Sequence, residues 1–221
     1  MSSPVVDNSP SFEPRRSRGR PRKTADERDE GNRRQALLHA AARLFRQQGF
    51  AAASTRDIAA AAGMQSGSPF YHFENKSALL VAVMREGMES AVQRQASAIA
   101  RATRAGGSDA RAGLRVLVRS HLEVLLGPDS DFIPVMLYEW RSLSADERTE
   151  INHIKARYEA AWVPVLKALH ASGELKGDPG LARLMLFGAL NWSVQWFDPS
   201  RRASLDDLTD TTLQLFLKDP A

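Results

Sequence analysis

From Leu37 to Phe216 the apolar residues return at spacings of three and four, and no convincing run of period two interrupts them. A chain patterned this way buries its apolar surface by packing helix against helix, so an all-α fold is expected. The first stripe, Leu37, Leu38, Ala41, Leu44 and Phe45, starts from about Asn32 and stops at Gly49. A short helix follows, with Thr55 as its expected N-cap and Gly63 closing it. After a tight turn at Met64-Gln65, a second short helix runs through Phe73. Pro69 fits there only in a first turn, where a missing N–H costs nothing, which puts the expected cap at Ser66.

Asn75 is placed to cap a long helix reaching about Ala105, and Gly106-Gly107 ends it. Ser108 is expected to open the next helix, which closes at Gly127-Pro128, and a short segment spans Asp131 to Leu143. Ser144 and Glu147 make a capping box. They open a helix with Ile151, Ile154, Tyr158, Val165 and Leu169 inward, which Pro164 should kink. Asp178-Pro179 starts another helix, to about Trp196, and Ser204 caps the last.

Charge divides the chain unevenly. Residues 1–76 hold 13 Lys+Arg against 8 Asp+Glu, whereas the remainder holds 17 against 18. A basic head on a near-neutral body points to nucleic acid. Pro14 to Lys23 contains six cations and no acid. Arg18, Arg20 and Arg22 lie around Gly19 and Pro21, which keep the segment thin enough to track phosphates or enter a minor groove.

Other classes drop out. With no cysteine, disulfides and thiolate chemistry are absent. No apolar run approaches the roughly 20 residues of a membrane span, and no signal-peptide pattern precedes the fold, so a cytoplasmic protein with no membrane partner is expected. The histidines at 39, 72, 121, 153 and 170 form no i,i+3 or i,i+4 pair, and no phosphate loop or nucleophile elbow occurs. Catalysis, a metal site and a cofactor are therefore not expected.

Ser54 to Phe73 carries the function. Two short helices joined by a Gly-centred turn present the second helix to a major groove. Ser66, Gly67 and Ser68 are small enough for close approach to phosphates, while Phe70, Tyr71 and His72 supply an apolar edge and polar tips for bases. Residues 33–80 resemble the DNA-binding domain of TetR-family transcriptional regulators. The resemblance rests on Leu44-Phe45…Gly49-Phe50, Ser54-Thr55-Arg56-Asp57-Ile58-Ala59, Ala62-Gly63-Met64, and Gly67-Ser68-Pro69-Phe70-Tyr71-His72-Phe73…Lys76…Leu79. Pro69 stands where the family usually has leucine, and Phe70 where it has tyrosine; that substitution removes a hydroxyl from one phosphate contact.

The resemblance implies that Thr55 and Arg56 meet phosphate, that Gln65, Ser66, Ser68 and Tyr71 face base edges, and that His72 and Lys76 hold the DNA backbone. It implies three parts: a flexible basic arm over 1–28, a helix-turn-helix domain over 29–76, and a helical ligand-binding and dimerisation domain over 77–221. The last two helices, with Leu181, Leu184, Met185, Ala189, Leu205, Leu208, Leu215 and Phe216, would pair with a second copy. Such a homodimer reads a palindromic operator on double-stranded DNA.

All four tryptophans lie in the body. Gly188-Ala189-Leu190-Asn191-Trp192…Trp196-Phe197-Asp198-Pro199 and Arg157-Tyr158-Glu159…Trp162 resemble the body of family members that answer to acyl-CoA thioesters. An elongated lipophilic effector of that class is expected, bordered by His121, Met136, Trp140, Tyr158, Trp162, Asn191, Trp192 and Trp196, with Arg141 or Arg157 on its anionic part. The competing reading, a sequence-tolerant architectural DNA-binding protein, accounts for the arm but gives the tryptophan-bearing body nothing to do.

Overall fold

The computed structural model describes residues 25–65, 69–106, 109–127, 130–201 and 203–219. The helices are α1 (Ala25–Ala52), α2 (Thr55–Ala61), α3 (Pro69–His72), α4 (Lys76–Arg104), α5 (Ala110–Leu126), α6 (Phe132–Glu139), α7 (Ala145–Ala160), α8 (Trp162–Ala171), α9 (Pro179–Trp192) and α10 (Leu205–Phe216). Single 3₁₀ turns follow α6 and α9. Among the described residues the one extended pairing is an isolated bridge between Leu175 and Leu217. It ties the α8–α9 turn to the end of the chain. The fold is all-α.

Local chemistry sets the boundaries. Asn75, Asp109, Ser144, Asp178 and Ser204 each cap a helix by accepting a backbone N–H, and the boxes at Ser144/Glu147 and Ser204/Asp207 are closed in both directions. Three starts differ from expectation. The first helix begins at Ala25, seven residues before Asn32 and inside the segment assigned to the arm; the sequence there is rich in acids, which favour a helix N-terminus. The second is capped by Ser54 rather than Thr55. The fifth is capped by Asp109, while Ser108 lies outside the described residues. Pro164 does not kink a single helix. The helix breaks at Ala161, and Pro164 falls in the first turn of α8, where it withholds no needed donor.

Helix α4 is the shared strut. It packs on α1 at its start and on α5, α6 and α7 along its length. The core is continuous through it, from Leu37, Phe45 and Ile58 in the head to Leu114, Leu122, Trp162 and Leu166 in the body. Gly87 lets α4 and α6 touch: a Cβ there would lie 2.7 Å from the Cβ of Phe132. Outside this core, Leu181, Leu184, Met185 and Trp192 of α9 and Leu215 of α10 are exposed. No helix among the described residues is long and apolar enough to cross a membrane.

Candidate nucleic-acid interface and effector cavity

In the head, Ser54 Oγ accepts the Asp57 N–H at 3.1 Å and donates to the Asp57 carboxylate at 2.6 Å, fixing the start of α2. Thr55 is therefore the first helical residue, half-buried, with Arg56 exposed beside it. The turn after α2 uses Gly63 at φ +70°, and Met64 N–H closes on the Ala59 carbonyl at 2.8 Å. Gln65 is exposed, and Tyr71 is 77% exposed with its ring edge-on to His72. Gln65, Tyr71 and His72 border one open cleft together with Asp29, Glu30 and Arg33 of α1. Phe73 is core, with the Arg34 guanidinium 5.1 Å from its ring centre. Arg18, Arg20, Arg22, Ser66 and Ser68 lie outside the described residues, as does the side chain of Phe70.

Lys76 has another occupation than the one the resemblance implies. Its ammonium donates to the carbonyls of Phe50 at 2.8 Å, Ala53 at 3.1 Å and Ala51 at 3.3 Å, and sits 4.5 Å from the Phe50 ring centre. A lysine has three donors, and all three go to carbonyls of the segment that follows the break in α1 at Gly49, the stop expected there, where the backbone turns to φ +81°. Lys76 thus clamps α1 to the start of α4, and a phosphate would have to compete with that.

In the body, a cavity of about 110 Å³ opens between α4, α5, α6, α7 and α9. His121, Met136, Tyr158 and Asn191, all expected there, line it. His121 is buried, its Nδ1 2.9 Å from the Tyr158 hydroxyl and its Nε2 3.1 Å from Asn191 Oδ1. The amide oxygen can only accept, so Nε2 carries the proton and Nδ1 accepts from the tyrosine. Burial pushes the His121 pKa down to about 4, against a smaller upward pull from Asn191. The imidazole is neutral at pH 7. Burial likewise raises the Tyr158 hydroxyl far above its ordinary value.

Trp162 stands behind this wall, not in it. It is fully buried, with ring centres 4.8 Å from Phe187 and 5.9 Å from His121. Buried Gln95, with its amide turned to satisfy both ends, accepts from Trp162 Nε1 at 2.9 Å and donates to the Tyr158 carbonyl at 3.0 Å.

Several expected residues are elsewhere. Trp192 and Trp196 are 65% and 53% exposed. The face of α9 that lines the cavity is Leu184, Phe187 and Asn191, so Trp192, one residue on, turns away. Trp140 packs on the core beside α6 without lining the cavity, and Arg141 is exposed. Arg157 pairs with Glu89 on the surface of α4. The cavity's charged residues are instead Lys155, Glu159 and Arg183: Glu159 is bonded to Arg183 and lies 3.5 Å from Lys155. Sequence reasoning missed these three and also Met88, Ala91, Val124, Ile133 and Phe187, and expected Leu184 only in the pairing face. The available signal was spacing, since Met88/Ala91, His121/Val124 and Lys155/Tyr158/Glu159 each share a helix face.

Known proteins resolve the family. The profile described as "Bacterial regulatory proteins, tetR family" matches residues 37–83, and that of the "Tetracyclin repressor-like, C-terminal domain" matches 107–219, more than half of the chain. The chain belongs to the TetR family. It is a regulatory protein of that family and not an enzyme.

Among its relatives is the HTH-type transcriptional repressor KstR2 of Rhodococcus jostii, 29% identical over 197 residues, covering 87% of this chain and 93% of the relative. Among solved structures, AibR in complex with isovaleryl coenzyme A and operator DNA shares the fold at a TM-score of 0.74, with 24% identity over 83% of this chain and 97% of that one. The crystal structure of the superantigen PfiT is 35% identical, covers 85% and 97% of the two chains, and has a TM-score of 0.70.

Proposed function

We propose that this TetR-family chain is a homodimeric repressor that holds a palindromic operator and releases it when a lipophilic small molecule, an acyl-CoA thioester, occupies the body cavity. One observation carries the reading: a single short helix, α6, faces the cavity on one side and grips the head on the other. Ile133 and Met136 line the cavity. On the opposite side the Asp131 carboxylate, just before α6, meets Arg46 at 2.9 Å, Glu139 Oε1 accepts the Phe50 N–H at 2.9 Å, and Phe132 lies edge-on to His39 with ring centres 5.0 Å apart.

Pressure on Met136 is therefore pressure on α1 and, through α2, on the reading helix α3. Space for the movement exists, because a polar cleft of about 260 Å³ lies across the Ala91–Val124–Ile133 wall, between α1, α4 and α6. A ligand preferring the displaced arrangement shifts the population toward it. Coupling of about 1–3 kcal/mol lowers DNA affinity roughly 5- to 150-fold.

The DNA side rests on Thr55, Arg56, Gln65, Tyr71 and His72, with Ser66, Ser68, Phe70 and the arm's Arg18, Arg20 and Arg22 assigned by motif and charge. Two-fold pairing is supported by the exposed apolar face of α9 and α10, which a second copy would cover; Leu184 belongs both to that face and to the cavity wall. Pairing sets two reading helices on half-sites about one helical turn, 34–36 Å, apart. The acyl-CoA assignment is supported by the likeness to AibR, whose structure holds isovaleryl coenzyme A and operator DNA, and by a largely apolar cavity whose His121–Tyr158–Asn191 wall is neutral.

Footprinting of the full chain on its own promoter region, with and without acyl-CoA thioesters, tests the whole. Protection of one short palindrome, lost on adding a thioester, is the expected result; uniform coverage of any duplex would favour the architectural reading instead.

A further inference from the structure

Resting on the reading that an acyl-CoA is the effector, we infer that the group entering the cavity is a compact acyl chain of about five carbons or fewer, recognised at its thioester carbonyl by the Asn191 amide. Size comes first. An apolar cavity of about 150 Å³ takes up one benzene, six carbons in a ring. The space here is about 110 Å³. It is not extensible at its floor, where Trp162 is fully buried and its indole N–H is held by Gln95. Beyond the Ala91–Val124–Ile133 wall the neighbouring void is bordered by Phe132 and by Gln35, His39, Glu86, Ser90, Arg94 and Ser130, polar groups that a hydrocarbon tail entering there would strip of water. A long chain or a fused-ring system would have to break that wall and then desolvate those groups.

Chemistry then selects the polar handle. The hydrogen-bond sequence Tyr158 O–H to His121 Nδ1, and His121 Nε2–H to Asn191 Oδ1, uses the imidazole completely. What it leaves is the Asn191 NH₂, which has no acceptor among the described residues. An amide N–H on an otherwise apolar wall suits a carbonyl oxygen. The three groups of this wall are neutral at pH 7, and burial keeps His121 so, with a pKa of about 4. An ionised head group finds no counter-charge beside them, so the anionic remainder of the thioester stays at Lys155 and Arg183, two cations against the one carboxylate of Glu159.

The test is a chain-length series on the full-length dimer with its operator: free coenzyme A, then butyryl-, pentanoyl-, octanoyl- and palmitoyl-CoA, read by calorimetry and by release of labelled operator. Affinity should peak at four or five carbons and fall at least about tenfold by eight. Met136→Ala should move the peak to longer chains, and Asn191→Ala should weaken every thioester about tenfold without changing the peak. Tightest binding by palmitoyl-CoA would overturn this inference while leaving the acyl-CoA reading standing. Failure of all the thioesters to bind or to release operator would end both. A peak at four or five carbons that Met136→Ala does not move would mean that this cavity is not the one measuring the chain, and would also overturn it.

Discussion

The reading face of the head and the cavity of the body solve opposite problems. The head keeps the side chains proposed to meet DNA in water: Arg56 and Gln65 are exposed and Tyr71 is 77% exposed, over a core of Leu37, Phe45, Ile58 and Phe73. The body withdraws its functional side chains from water. His121, Tyr158 and Trp162 are part of the core as well as neighbours of the ligand space. Recognition and stability are separable in the first region and fused in the second. Variants in the two regions should therefore fail in different ways.

The largest effect should come from Trp162→Ala. It removes a fully buried indole, opens a hole behind Phe187 and strips Gln95 of a partner. A loss of about 3–5 kcal/mol is expected in urea unfolding, with effector binding lost in the same step. Loss of effector response with an unchanged urea midpoint would mean that cavity and core are not fused.

Next is a pH effect tied to His121. Its folded pKa is about 4 against an ordinary 6.5, so between those values the unfolded chain binds the extra proton. The contribution of the neutral imidazole is whole above about pH 6.5 and is lost as pH falls toward 4, up to about 3 kcal/mol. His121→Gln cannot titrate. The measurement is the difference between wild type and variant in stability against pH from 7 to 4.5. The wild type should fall more steeply by up to one proton, and parallel curves would contradict the burial argument.

Lys76→Met should cost about 1–3 kcal/mol, because the carbonyls of Phe50, Ala51 and Ala53 lose their donor. The same variant separates clamp from phosphate contact. If Lys76 acts through the fold, the slope of log K against log salt for DNA stays as in wild type; a lost phosphate contact lowers it by about 0.9.

The two regions also differ in how far they could be read from residues alone. The helix-turn-helix was legible because its determinants are local: a left-handed Gly63 and a proline confined to the first turn of α3 act within a few positions, and the cap expected at Thr55 falls one residue away, at Ser54. The cavity draws on five helices between Met88 and Asn191, and no local rule says which face of each turns toward it. Trp192 and Trp196 attracted attention by type, yet lie outside, while Phe187 and Gln95 had no local mark and are central. The clamp made by Lys76 was hidden for a related reason. Its position in the motif was plain, but its partners 23 to 26 residues back depend on how α1 meets α4.

The smallest stability effect, and the sharpest contrast with Trp162, should come from Tyr71→Ala. With 77% of its surface in water and its ring merely edge-on to His72, Tyr71 contributes little to folding, and a change within about 0.5 kcal/mol is expected. Its loss should be felt against DNA. If the phenol reads a base edge, the variant binds operator about 1–3 kcal/mol less well while its affinity for random duplex hardly moves, compressing the ratio of the two. Competition of labelled operator with random DNA at fixed salt measures that ratio. An equal fall for both duplexes would make Tyr71 a backbone contact, and discrimination would then have to come from Gln65 and the residues that follow it.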